Sequence, residues 1–182
     1  MNILKSIAST RLLLVASTAT HIRTELEAPD QLCTLLDAKI SSSWPSGEYD
    51  RDAMEFFLAR LEEGGESAEG WYGWYALGSE TPEGSRTLIG AAGYHGPPDS
   101  TGTVEIGYSV LPEWQNRGYA SEMVRLLVTH ALSFEEVSLL VAHTRIENPA
   151  SIGVLSRCGF LPAGAGLEPD SMRFEHHRVG GT

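Results

Sequence analysis

Positive charge is scarce in this chain: 13 lysines and arginines stand against 24 aspartates and glutamates, a formal net charge of −11. A partner held by neutralising many phosphates is therefore not expected, which excludes nucleic acid. The acidic balance favours cationic or amine-bearing partners. Cysteine is scarce too. Cys33 and Cys158 lie far apart with no metal or redox spacing, so neither a disulfide framework nor a cysteine metal centre is expected, and a reducing compartment fits. The histidines form no metal constellation. Long apolar runs are missing. The run Leu12 to Ala16 is short and Arg11 interrupts the segment before it, so it reads as a first strand rather than a secretory signal. Nothing approaches the ~20 apolar residues of a membrane helix. These absences point to a cytoplasmic protein with no membrane partner.

What remains is an ordinary globular domain. At 182 residues and 42% apolar, the chain is long enough to bury a core without staples. No internal repeat or long linker divides it, so one domain over 1–182 is expected, ordered from about 9 to 179. Arg11 to Ser17 reads as a strand. Pro29 to Ile40 reads as a helix, and Asp50 caps another with Met54, Phe57, Leu58 and Leu61 at helical spacing. Strands follow at 70–78, 87–94 and 104–111, the last two joined by the turn Gly96-Pro97-Pro98-Asp99-Ser100-Thr101-Gly102. A helix with a stripe of Ala120, Met123, Val124, Leu127 and Ala131 comes next. Val137 to Val141 suits a central strand, Asn148-Pro149 opens another helix that Gly159 ends, and Met172 to Arg178 closes the sheet. One α+β domain around a mixed sheet is implied.

The most informative stretch is Gln115-Asn116-Arg117-Gly118-Tyr119-Ala120, between an apolar strand and an amphipathic helix. A helix start offers backbone N–H groups without intrahelical partners, and the helix dipole adds positive potential. Such a turn is a seat for a phosphate or pyrophosphate. Gly118 lets an anion approach the backbone, and Asn116 tolerates left-handed angles. No Lys-Ser/Thr pair follows, as a P-loop needs, and no G-x-G-x-x-G is present.

Gln115, Gly118 and Ala120 match [QR]-x-x-G-x-[GA], so residues 104–132 resemble motif A of the Gcn5-related N-acetyltransferase (GNAT) superfamily. Asn148-Pro149-Ala150-Ser151, running to Cys158-Gly159-Phe160, resembles its second motif, N-x-x-S with a closing G-F. Thr10 to Leu14 looks like the first strand of the branch with ribosomal-protein N-terminal acetyltransferases. The resemblance implies a GNAT-type fold: a central mixed, twisted sheet, its fourth and fifth strands (104–111 and 137–144) splayed apart, flanked by about four helices. It implies an acetyl-CoA-dependent N-acetyltransferase acting on a primary amine by direct attack in a ternary complex, without metal. A non-catalytic acetyl-CoA-binding sensor of the same fold is the alternative.

The resemblance also places the cofactor. Its pyrophosphate is expected on Gln115, Asn116, Arg117, Gly118, Tyr119, Ala120 and Ser121. Its pantetheine arm should pair with the backbone of Ser109, Val110 and Leu111. Asn148 is expected either to bond the pantetheine amides or to cap its helix. Glu105 is the candidate base, direct or through a water, since strand alternation separates it from Val104, Ile106, Tyr108 and Val110; otherwise it is a solvated strand glutamate. Many members carry a tyrosine seven residues after the motif asparagine. Here Leu155 stands there, which leaves proton delivery to the sulfur open. Ser151 is the candidate acid, unless it only bonds the first helical turn. Trp44, Tyr49 and Tyr94 are candidates for an acceptor pocket. The acceptor is expected to be a small-molecule amine or a protein N-terminal amine, and the oligomeric state a monomer or homodimer.

Overall fold

The computed structural model describes residues 4–45, 47, 49–79 and 84–180. Positions 46, 48 and 80–83, which fall inside the expected 9–179 core, lie outside the described residues. The elements are β1 (Ser6–Ala8), β2 (Leu12–Ala16), α1 (Ala19–Glu27), α2 (Leu32–Leu36), β3 (Lys39–Ile40), α3 (Arg51–Gly64), β4 (Gly73–Gly78), β5 (Thr87–Tyr94), β6 (Thr103–Val110), α4 (Tyr119–Leu132), β7 (Leu139–Arg145), α5 (Pro149–Arg157), β8 (Leu161–Ala165) and β9 (Ser171–His177). The strands form one mixed sheet in the order β1-β2-β4-β5-β6-β7-β9-β8, with β3 pairing parallel to β5.

Strand alternation divides the core between two faces. Leu12, Leu14, Ile89, Ile106, Leu140 and Phe174 pack with Met123, Val124 and Leu127 of α4. Val15, Tyr75, Leu77, Leu88 and Ala91 pack with Ile22, Met54 and Leu61 of α1 and α3. The helices α1 and α3 therefore cover the N-terminal half of one face, and α4 with α5 covers the other.

Several elements depart from the sequence expectation. The helix expected at 29–40 is a 3-10 turn over Pro29–Gln31 followed by the short α2, which stops at Asp37 with φ 46°. The longer helix is α1, capped by Thr18, whose side chain accepts from the His21 N–H. Two of its three buried residues, His21 and Glu25, are polar, so its apolar period is faint. Five α-helices result among the described residues, against about four expected. β1 precedes the expected first strand, and β8 pairs with β9 at the edge.

The splay is present. β6 and β7 pair in parallel only at Thr103↔Leu139, Val104↔Leu140 and Glu105↔Val141. Beyond Glu105, β6 stays with β5 to Gly90↔Val110, while β7 stays with β9 to Arg145↔Ser171. A gap opens between the two strands, and Glu105 sits at its closed end. Backbone groups that a continuous ladder would satisfy face this gap.

Candidate active site

The turn into α4 has the conformation an anion seat needs. Asn116 takes φ 60° and Gly118 takes φ 82°, both left-handed, and Gly118 is the residue before the first helical turn. A Cβ at Gly118 would lie 3.1 Å from Arg11 Nη2, and left-handed angles would strain any side chain there. Arg11, from the turn between β1 and β2, braces the segment. Its Nη2 donates to the Arg117 carbonyl at 2.7 Å and its Nε to Glu122 at 2.8 Å. The Gln115 amide donates to the Val110 carbonyl at 3.0 Å, tying the turn to the splayed end of β6.

A cavity of about 700 Å³ runs from this turn along the gap, a volume typical of a small-molecule site. Ser109, Val110, Gln115, Asn116, Gly118, Tyr119, Ala120, Ser121, Asn148 and Ser151 all border it. Two expected cofactor residues do not. Leu111 is fully buried and its N–H is taken by the Ile89 carbonyl at 2.8 Å. Arg117 lays its guanidinium over Trp114, 5.3 Å from the ring centroid. Asn148 Oδ1 accepts the Ser151 N–H at 3.1 Å, so its oxygen caps α5. Its side-chain amide then has donors left over for a ligand.

A second, smaller cavity of about 130 Å³ lies on the α3 side of the sheet, bordered by Tyr49, Phe57, Ala91, His95, Gly107 and Ser109. Tyr108 and Ser109 border both cavities, so the two meet at β6. Of the three expected acceptor residues, Tyr49 lines this cavity directly. Trp44 lies beside Tyr49, 5.3 Å between ring centroids, and its Nε1 donates to Glu25. Tyr94 borders the cavity but buries its ring on the α4 side, where its hydroxyl donates to the Leu127 carbonyl at 2.6 Å. Strand alternation alone puts it there, because Ala91 and Gly93 hold the open face.

Glu105 is half-buried at the closed end of the gap. Its Oε1 lies 2.9 Å from His143 Nδ1 and 3.4 Å from His95 Nδ1. Burial pushes its carboxyl up, but the two histidines outweigh burial and hold it at about 2. On the other side of β6, the Tyr108 hydroxyl sits 2.9 Å from Ser151 Oγ. Burial raises Tyr108 to about 12, so it stays a protonated donor. Leu155 is buried in the core. Cys158 is buried, its thiol pushed up by burial and 3.4 Å from the Ser121 carbonyl, which suits packing rather than nucleophilic chemistry.

Sequence reasoning missed the contacts that three of these residues make. His95 and His143 flank Glu105, and Tyr108 rather than a residue of α5 supplies the phenol near Ser151. Hairpin register could have found His95, which follows β5 directly and donates its N–H to the Glu105 carbonyl at 3.0 Å. His143 required the parallel register of β7.

A sheet that splays beside a left-handed turn onto a helix, with a cleft along the gap, is the arrangement that the resemblance in the sequence implies for an acetyl-CoA-dependent transferase. Residues 11–161 match the acetyltransferase (GNAT) domain, and the chain belongs to this family. It is 27% identical over 141 residues to the uncharacterized N-acetyltransferase YjdG of Bacillus subtilis (strain 168), covering 78% of this chain and 77% of that protein. Its fold matches the acetyl transferase of Salmonella typhimurium that modifies the N-terminal serine of ribosomal protein L7/L12, at a TM-score of 0.64 and 18% identity over 96% of this chain and 100% of that one. It also matches RimL, a ribosomal L7/L12 alpha-N-protein acetyltransferase, in complex with coenzyme A, at a TM-score of 0.67 and 16% identity over 95% and 98% of the two chains. The protein is an N-acetyltransferase with acetyl-CoA as donor. Among the described residues no cluster of metal-ligating side chains occurs, and no helix is long and apolar enough to cross a membrane.

Proposed function

We propose that the protein moves the acetyl group of acetyl-CoA to a primary amine by direct attack, with both substrates bound together. The observation that carries this reading is the meeting of two cavities at Tyr108 and Ser109, on the strand that carries Glu105. The larger holds the donor. Its pyrophosphate sits on the N–H groups of the 115–121 turn, where helix dipole and left-handed backbone converge. Its pantetheine lies along Ser109 and Val110, pairing with backbone that β7 leaves unpaired, and the Asn148 amide donates to it. The smaller cavity takes the acceptor, with Tyr49 in its wall.

Glu105 directs removal of the amine proton. An amine attacks only when neutral, while one in water holds its proton to a pKa of about 8 to 10. An anionic carboxylate held between His95, which borders the smaller cavity, and His143, which borders the larger, draws the ammonium in and positions the group that deprotonates it. The acceptor is a small-molecule amine or a protein N-terminal amine, both of which occur among proteins of this fold: a spermidine N-acetyltransferase from Vibrio cholerae, matched as a chimera at a TM-score of 0.61, and the ribosomal-protein enzymes above.

The test is free-thiol release from acetyl-CoA with a panel of amines: spermidine, tyramine and a short peptide amide beginning with serine. Release above hydrolysis with at least one amine is expected. No release with any amine, alongside a rise in Tm on adding acetyl-CoA, would sink the catalytic reading and leave a cofactor sensor.

A further inference from the structure

Two imidazoles converge on one carboxylate oxygen, and each faces a different cavity. His95 borders the smaller cavity and His143 the larger, with Glu105 between them at the closed end of the gap. The arrangement follows from register. His95 stands opposite Glu105 across the β5–β6 hairpin, and Val141 pairs with Glu105 in β7, so His143 lies two residues on along the same face. With Nδ1 of His143 on Glu105, its Nε2 is buried and has no partner among the described residues. A buried nitrogen without a partner costs free energy, and a ligand in the adjoining gap removes that cost.

We propose that His95, Glu105 and His143 form one proton-handling unit spanning the two cavities, in which His95 takes the proton of the attacking amine and His143 gives one to the departing sulfur. The proposal rests on the acetyl-transfer reading above. The cycle starts with His143 as imidazolium and His95 neutral. The neutral amine forms its bond to the thioester carbon and the carbon–sulfur bond breaks. The nitrogen's surplus proton goes to His95, and the sulfur leaves as a thiol with the proton of His143. Amide and coenzyme A thiol are the products, with no net proton gained or lost by the site. One positive ring beside one carboxylate persists throughout, so the half-buried site never carries an unpaired charge. His95, more than half exposed, then returns its proton to solvent, and His143 recovers one when the products leave.

Direct proton transfer to Glu105 is disfavoured, because a carboxyl held near 2 is a weak base. The departing thiolate is basic enough to take a proton from an imidazolium. The charged groups that β9 brings to this face are already matched. From β9, Arg173 stands across from His143, but its Nε pairs with Glu175 Oε1 at 2.8 Å, and His177 Nε2 meets Glu175 Oε2 at 3.0 Å. From β7, Arg145 lies at the exposed mouth of the gap. Tyr49 and Ser109 on the acceptor side are neutral hydroxyls, and Tyr108 points to the opposite face.

The test is kcat against pH, with saturating acetyl-CoA and the best amine of the panel above, for the wild type, His95→Gln, His143→Gln and Glu105→Gln. Dividing each variant's profile by that of the wild type removes the amine's own titration. The wild type should be bell-shaped, since activity needs one ring neutral and the other charged. His95→Gln should lose the acid limb and His143→Gln the alkaline limb, each with kcat down about 100-fold. Both should keep the rise in Tm with acetyl-CoA, and the shape of a profile does not move if part of a variant fails to fold. Two His variants with the wild-type shape would overturn the proposal while leaving acetyl transfer intact. A limb lost only in Glu105→Gln would assign the proton to the carboxylate instead. A wild type that acetylates nothing would remove the underlying reading and this one with it.

Discussion

Two carboxylates on the same face of the sheet meet opposite fates. Glu25, on α1, is buried among three neutral donors: Trp44 Nε1 at 2.5 Å, the Tyr49 hydroxyl at 2.9 Å and the Tyr75 hydroxyl at 2.8 Å. Burial pushes its carboxyl above the ordinary range, and the three hydrogen bonds only partly offset that. Glu105, on β6, is half-open and meets two histidines, which outweigh burial and hold it at about 2. The residue type is the same and the number of partners similar; the nature of the partners differs. A phenol or indole steadies a carboxylate with a dipole. An imidazole can also carry a charge and surrender a proton. Glu25 thus works as a strut pinning Trp44 and Tyr49 against α1, behind the smaller cavity. Glu105 works where protons move.

Removing the charge at each site is the sharpest way to break this contrast. Glu105→Gln should lower kcat by about 100- to 1,000-fold, while acetyl-CoA still raises Tm as it does in the wild type. Glu25→Gln should leave kcat within a few-fold, because Glu25 bonds Trp44, Tyr49 and Tyr75 and neither of the two histidines. Thiol-release kinetics on the two variants decide the matter. Similar losses in both would mean that Glu105 is another strut.

The sequence makes one half of this contrast far more legible than the other. The turn at 115–120 could be read because its chemistry is local: six consecutive residues carry the glycine, the left-handed asparagine and the helix start. Glu105 could be placed on the correct face by alternation alone. Its partners could not, since His143 is 38 residues further along the chain and reaches Glu105 only through a parallel register that no local pattern encodes. Glu25 was hidden for a different reason. It sits at a buried position of α1, where an apolar residue would have announced the helix, and its donors come from 19, 24 and 50 residues away. The edge strand β8 was obscured because every residue of Leu161–Ala165 is exposed and the segment includes a proline and a glycine.

Truncating the strut should cost stability rather than chemistry. Glu25→Ala strands the Trp44 indole N–H, leaves the Tyr49 and Tyr75 hydroxyls only each other, and opens a cavity beside them. Each buried donor without a partner costs about 1–3 kcal/mol, and relaxation of the Trp44 segment recovers part of that. A net loss of about 2–4 kcal/mol in urea unfolding is expected. The KM for the amine should rise as Tyr49 loses its anchor, with KM for acetyl-CoA unchanged. A variant as stable as the wild type would show that Glu25 holds nothing in place.

The smallest effect carries the clearest sign. Glu105 has a folded-state carboxyl below its unfolded value of 4.5, so the stability it adds is present above that value. That contribution fades as pH falls towards about 2, since the unfolded chain takes up the proton first. Glu25 is the reverse case. Its folded-state value lies above 4.5, so the native protein binds the proton first, and stability falls as pH rises from 4.5 through the raised value. Stability measured by urea at steps from pH 7 down to 3, wild type minus variant, should therefore run in opposite directions for the two charge-removing variants. The difference for Glu105→Gln should shrink towards the acid end, and that for Glu25→Gln should grow. One proton bounds either slope at about 1.4 kcal/mol per pH unit, and exposure of Glu105 reduces its share. Parallel slopes would mean that the two carboxylates feel the same environment, and the distinction between strut and proton-handling group would collapse.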